Sequence, residues 1–243
     1  MKKIINFIFL LLICWICQSC NSQETSSNEK NTAIKVVATD SIDIDNIYLK
    51  LSDNRPLGFI KISGEFVYAE NGTDSTKYVA RFVSDSIMKN ITYTGYSNNK
   101  NDVLELGTIP INLRRKINPL AIEISRLQFA GKKYLVFAGK AQSASGSGTQ
   151  ITYFVLVELK SNDKLVKFWE FESRFGDIHS IIDFNKDGEL DYIKIVNGKK
   201  ADEYSLTVNN IKSGKQINNG FILLKHTGND RFGVLQDSLL KKY

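Results

Sequence analysis

The chain predicts an all-β fold in which antiparallel meanders form a small or incomplete β-propeller, with a twisted β-sandwich of the same meanders as the alternative. Three observations predict it. Short runs rich in Val, Ile, Tyr and Phe, alternating apolar with polar positions, recur from residue 58 to residue 225 and are separated by Gly, Asn, Asp and Ser clusters. Pairs that favour tight reversals, such as Asn71-Gly72 and Ser213-Gly214, stand between the runs. Residues 133–171 and 192–224 also share one layout, with short strand, loop, longer strand, turn and short strand, a weak internal repeat on the scale of a propeller blade. At a period of roughly forty to fifty residues the body holds about four such units, and full propellers carry about four to eight.

The amino end is of a different kind. Lys2 and Lys3 precede an apolar run over residues 4–16, too short for a comfortable membrane span, and then Gln18-Ser19-Cys20 opens a polar tract. A basic start, an apolar middle and a small residue before the break read as an export signal over residues 1–19. The cysteine at the break makes the segment look like a bacterial lipoprotein signal, which implies a lipid on Cys20 and, with Asn21 rather than Asp behind it, delivery to an outer membrane; plain secretion or a periplasmic location is the alternative. Cys14 and Cys17 leave with the signal, so no disulfide is expected in the mature chain. Residues 20–33 are polar, contain no aromatic side chain and read as a flexible tether. Residues 34–243 read as a single β-rich domain, long enough to bury a sizeable core.

Within that domain, residues 46–58 alternate short apolar runs with turn residues, Ser52-Asp53-Asn54-Arg55-Pro56 forming a loop in which Asn and Asp fold back on the main chain and Pro presets φ. Residues 58–69 read as one strand with Gly64 as a bulge or bend. Asn71-Gly72 turns it into residues 77–83, and residues 87–96 complete a meander. Val79, Phe82, Val83, Ile87 and Ile91 also fit helical spacing, but β-branched and aromatic residues favour strands. A turn at 97–102 leads to a strand over 103–111, and residues 121–129 and 133–139 pair around Ala130-Gly131-Lys132. The Ser/Gly-rich stretch 141–149 matches neither a Walker loop nor a dinucleotide fingerprint and reads as a strand connection. Strands follow over 150–159, 165–171, 191–196, 202–212 and 221–225, with Trp169 and its aromatic neighbours assigned to the core.

The sharpest chemical signal lies between residues 183 and 191. Asp183, Asn185, Asp187, Glu189 and Asp191 place oxygen-bearing side chains at alternate positions, and Gly188 allows the chain to curl. A hard divalent cation takes six to eight oxygens, so this spacing predicts Ca²⁺ bound by the side chains of Asp183, Asn185, Asp187 and Asp191 and the main-chain carbonyl of Glu189. An EF-hand would need a bidentate Glu where Lys194 stands, and an exiting helix where residues 191–196 alternate as a strand with Ile193 and Ile195 on one face. The competing reading is an acidic turn stabilised by Asx hydrogen bonds.

From Phe175-Gly176 through the D-x-N-x-D-G-x-x-D spacing of Asp183–Asp191 to the apolar strand ending near Gly198, the stretch resembles the FG-GAP or VCBS-type repeat of integrin-like propeller blades and bacterial surface proteins. The resemblance implies calcium at those five positions, between strands of a blade. Where that family ends the strand in Gly-Ala-Pro, this chain has Val196-Asn197-Gly198.

Other chemistry finds little footing in the sequence. Removing residues 1–19 deletes Lys2 and Lys3 and no acid, so 32 basic against 26 acidic residues becomes 30 against 26. That scattered excess is no nucleic-acid stripe. His179 and His226 have no partner at zinc spacing, and no nucleophile elbow or mature thiol catalyst is present. The expected function is therefore a non-enzymatic, envelope-anchored calcium-binding domain that meets a protein or glycan ligand; a secreted hydrolase with structural calcium is the alternative.

Overall fold

The computed structural model describes residues 41–62, 64–66, 77–82, 91–96, 100–118, 121–141, 146–160, 165–228 and 231–239. The expected signal (1–19), Cys20, the tether (20–33), the Asn71-Gly72 reversal, the turn at 161–163 and the middle of the Ser/Gly stretch lie outside the described residues.

The described residues begin with β1 (Ile42–Asp43), α1 (Ile44–Leu51) and β2 (Ile60–Ile62). β3 (Gly64–Phe66), β4 (Lys77–Phe82), β5 (Ile91–Tyr96), β6 (Val103–Leu106) and β7 (Ile109–Asn112) then form a first sheet whose spatial order is the chain order. β8 (Glu123–Phe129), β9 (Lys132–Lys140), β10 (Ile151–Leu159) and β11 (Leu165–Arg174) make a second meander, with β2 added at the far edge of β8. β12 (Ile181–Ile182), β13 (Asp191–Asn197), β14 (Glu203–Asn210), β15 (Ile222–Gly228) and β16 (Arg231–Asp237) make a third, and β1 adds to it alongside β16. Every pairing is antiparallel. The all-β class predicted by the sequence is thus the class of the molecule, and the two stretches that share a layout are both three-stranded meanders, β9–β11 and β13–β15.

Side-chain alternation sets the layering. In the second sheet Leu135, Phe137, Val155 and Val157 join Ile91, Tyr93, Leu104 and Ile111 of the first sheet in one buried cluster. The other face of the same strands sends Tyr134, Val136, Phe154, Leu156 and Phe171 against Ile181 and Tyr192 of the third sheet. A strand covered on both faces needs apolar residues at nearly every position, which is what the runs Tyr134–Ala138 and Phe154–Val157 supply. The third sheet turns Ile193, Ile195, Leu206 and Val208 to its remaining face, where α1 covers them. Ile193 and Ile195 share a side of the pleat, as the period of two requires.

Five features depart from the sequence reading, the first being that residues 103–111 are not one strand but the β6–β7 hairpin, turned at Gly107 with φ of 64°. Residues 44–51, taken as part of a run of loops and short strands, form a helix: Asp43 caps it by accepting from the Asp45 N–H, and Ile44, Ile47, Tyr48 and Leu51 fall on one buried face. Residues 58–69 are not one strand, because β2 belongs to the second sheet and β3 to the first, so the chain changes sheets just before Gly64. The Ser/Gly stretch ends in a 3₁₀ turn over Gly146–Gln150, and β16 lies beyond the last strand expected. By contrast, the reversal at Ala130-Gly131 is a two-residue hairpin with φ of 47° and 74°, the paired positive angles that match strand twist.

A buried polar knot joins the first two sheets. Asp102 is fully buried and accepts the Tyr93 hydroxyl, the Tyr96 N–H at 3.0 Å and the Ile117 N–H at 3.3 Å, while the Ile117 N–H also reaches the Tyr93 oxygen at 3.1 Å. Ile117 in turn bridges to Ala141 at the end of β9. Burial, and then the bond to Asp102, hold the Tyr93 hydroxyl well above its ordinary pKa, so it remains a donor.

Candidate metal centre

The loop is introduced by a tight corner. Phe175 takes φ of 54°, a left-handed backbone that aromatic residues rarely adopt, and it is held there by its N–H on the Gln150 carbonyl at 2.7 Å and by the Tyr48 hydroxyl donating to its own carbonyl at 3.0 Å. A Cβ on Gly176 would stand 3.0 Å from Ser173 Cβ and 3.1 Å from the Phe154 ring, so only glycine fits without a shift. The Phe175 ring meets Tyr204 and Phe232 edge-on, with centroids 5.1 Å and 5.0 Å away, and stacks with His226. His226 thus belongs to an aromatic cluster on β15. His179 sits in a 3₁₀ turn rather than a strand and is exposed.

From that corner the chain passes through β12 into the acidic loop, which connects two strands already paired at Ile182 and Asp191. Lys186 (φ 59°) and Gly188 (φ 79°) both take left-handed backbone and fold the loop inward. Asp183 spends its two oxygens on the loop's own backbone, accepting Asp187 N–H at 3.1 Å and Gly188 N–H at 3.2 Å. Asp187 accepts Glu189 N–H at 2.7 Å and the Asn185 side-chain amide at 2.8 Å. Asp191, only 1% exposed, accepts Phe184 N–H at 3.0 Å and the Asn210 amide at 3.4 Å. Glu189 turns its carboxylate outward to Asn210 and Lys212, and the Lys212 bond holds its carboxyl below the usual range.

All five expected ligand residues therefore lie in one loop, and their present partners are largely each other's amides. Among the described residues no three His, Cys, Asp or Glu side chains gather into a metal cage as they stand. The donor chemistry nevertheless suits a hard cation. An ionised carboxylate offers about four lone-pair sites, and the bonds above occupy two on each of Asp183, Asp187 and Asp191. The outward turn of the Glu189 side chain is compatible with a main-chain role. Nearby ammonium groups serve other acids: Lys186 pairs with Asp53 at 2.8 Å and Lys212 with Glu189. Burial first, and then the charges of Asp187 and Asp183, push the Asp191 carboxyl up to about 7, against the pull of Phe184 N–H and Asn210.

Asn210 is the residue that sequence reasoning missed. It ends β14 opposite Asp191 in the ladder, and its side-chain oxygen accepts Ser213 N–H at 3.0 Å, which aims its amide at Glu189 and Asp191. Its only mark in the sequence is an Asn two positions before a polar turn; the pairing that matters spans the β13–β14 hairpin.

The chain matches no family model, no curated protein and no solved structure.

Proposed function

We propose that the chain is a non-enzymatic, calcium-stabilised β-domain, lipidated at Cys20 and anchored to an outer membrane in the cell envelope, where it meets a protein or glycan ligand. Its three meanders are read as consecutive blades of an incomplete propeller of the FG-GAP or VCBS kind, a reading supported by their face-to-face order along the chain. One observation carries the calcium reading: Asp183, Asp187 and the buried Asp191 stand within the nine residues 183–191, each with lone pairs beyond the two bonds it accepts. A divalent cation held by Asp183, Asn185, Asp187, Asp191 and the Glu189 carbonyl would balance their charge.

Titration of the purified chain carrying Cys20→Ser with Ca²⁺ in a calorimeter tests this. The expected result is saturable heat with Kd of roughly 10⁻⁴ to 10⁻³ M, the range of extracellular modules, lost in Asp187→Ala. Absence of heat at millimolar calcium overturns it. The hydrolase alternative needs two carboxylates facing one cleft; the hollow between β11 and β13 contributes a single one, Glu172, which Arg115 engages at 3.1 Å.

A further inference from the structure

α1 and the turn behind it meet the acidic-loop segment at two points. The buried Tyr48 hydroxyl donates to the Phe175 carbonyl at the corner that leads into the loop, and Asp53, just past the helix, pairs with Lys186 in the middle of the loop. The corner is strained. A non-glycine residue at φ of 54° persists only while its surroundings over-determine it. Two hydrogen bonds hold Phe175 there, one from its N–H to the Gln150 carbonyl and one from α1.

The helix has little strength of its own. Isolated helices shorter than roughly twelve to fifteen residues are marginal in water, and this one has eight. What keeps it folded is the third sheet beneath Ile44, Ile47, Tyr48 and Leu51. Like charges oppose the docking at its start: burial first raises the Asp177 carboxyl, and Asp45 of α1 adds to that against the pull of His179. The Asp53–Lys186 pair is exposed on both sides, so it sets the position of the loop and adds little strength. Helix and corner therefore share one support, the apolar bed that also packs against the Phe175 ring.

We propose that α1 is a releasable latch: when it lifts from the third sheet, the Phe175 corner and the acidic loop open with it as one unit, while the first two sheets stay folded. Limited trypsin digestion of the Cys20→Ser chain tests this, in a calcium chelator so that failure of the metal reading leaves it untouched. Mass spectrometry times the cuts after Arg174, at the corner, and after Lys186, in the loop; the cut after Lys199, exposed between β13 and β14, is the internal control. Tyr48→Phe deletes the hydroxyl and leaves the Asp53–Lys186 pair in place. It should quicken the first two cuts together by about two- to tenfold, the net worth of one hydrogen bond read through the open population, and leave the third unchanged. Ile47→Ala, which touches neither tie, should quicken the same two cuts further. A rise at only one of the two, no rise at either, or an equal rise after Lys199 in Tyr48→Phe overturns the latch; should Ile47→Ala open every site alike, Tyr48→Phe alone decides.

Discussion

Asp102 and Asp191 are two aspartates buried to the same degree, 0% and 1% exposed, and they sit in opposite surroundings. Asp102 faces three donors: a hydroxyl and a backbone amide from β5 and the backbone amide of Ile117 converge on it and fasten the first sheet to the second. Asp191 has one backbone amide and one side-chain amide, and two further carboxylates close enough to raise its pKa. A buried carboxylate is costly unless its partners compensate. The first has its compensation built from the chain itself; the second has fewer donors and two carboxylates beside it.

The comparison can be broken most forcefully at Asp102. Asp102→Ala leaves the Tyr93 hydroxyl and the Tyr96 and Ile117 amides short of an acceptor, and should lower unfolding free energy by about 3–5 kcal/mol, each orphaned donor costing about 1–3 kcal/mol. Urea denaturation reads this directly, and a loss below about 1 kcal/mol would mean that the knot is not a fastening.

Next in size is the response to calcium. At ten to a hundred times Kd, a single bound ion should stabilise the fold by about 1.4–2.7 kcal/mol, seen as a higher melting temperature that a chelator reverses. Asp191→Asn should abolish that increment while leaving the calcium-free protein within about 1 kcal/mol of the parent, because the amide oxygen still accepts Phe184 N–H and the repelled charge is gone. The same substitution at Asp102 should gain nothing. Equal responses at the two sites would erase the contrast.

Smaller again is Gly188→Ala. Its φ of 79° strains any side chain, although nothing lies closer to an added Cβ than Ala130 Cβ at 3.8 Å. A loss of about 1 kcal/mol, with weaker calcium binding, is expected in the same melts. Lys186→Ala removes an ion pair whose side chains are 64% and 60% exposed, and should leave the urea midpoint unchanged.

Much of this was legible from residue order, where short-range physics decides the outcome. The alternation in Asp191–Asn197, the turn at Ala130-Gly131 and the curl around Gly188 depend on neighbours within a few positions, and these three stand where they were expected. α1 shows the limit from one side. Its apolar residues sit at helical spacing behind an Asp cap, but eight residues with two β-branched isoleucines make a weak helix alone, and the face of the third sheet is what holds it. Gly64 shows it from another: a bulge and a change of sheet look alike until the partners of Ile60–Ile62 and Gly64–Phe66 are known. The five acidic-loop residues could be picked out because they are local, whereas Asn210 and the Tyr93–Asp102–Ile117 knot could not, since no spacing rule links positions that meet only through the sheets.

β1 beside β16 has a consequence for how the protein is made. Ile42 and Asp43 lie against Phe232 and Arg231, nearly the whole length of the described chain apart. A chain emerging amino end first can settle its first two meanders early, yet β1 must wait for Arg231 and Phe232 to be synthesised. A product that stops before Arg231 would have no strand for that opening segment to join and would lack Phe232, part of the apolar bed of α1. The pairing of β1 thereby reports whether Arg231 and Phe232 have been made, and a protease offered both forms should trim the truncated one first at the segment around Ile44.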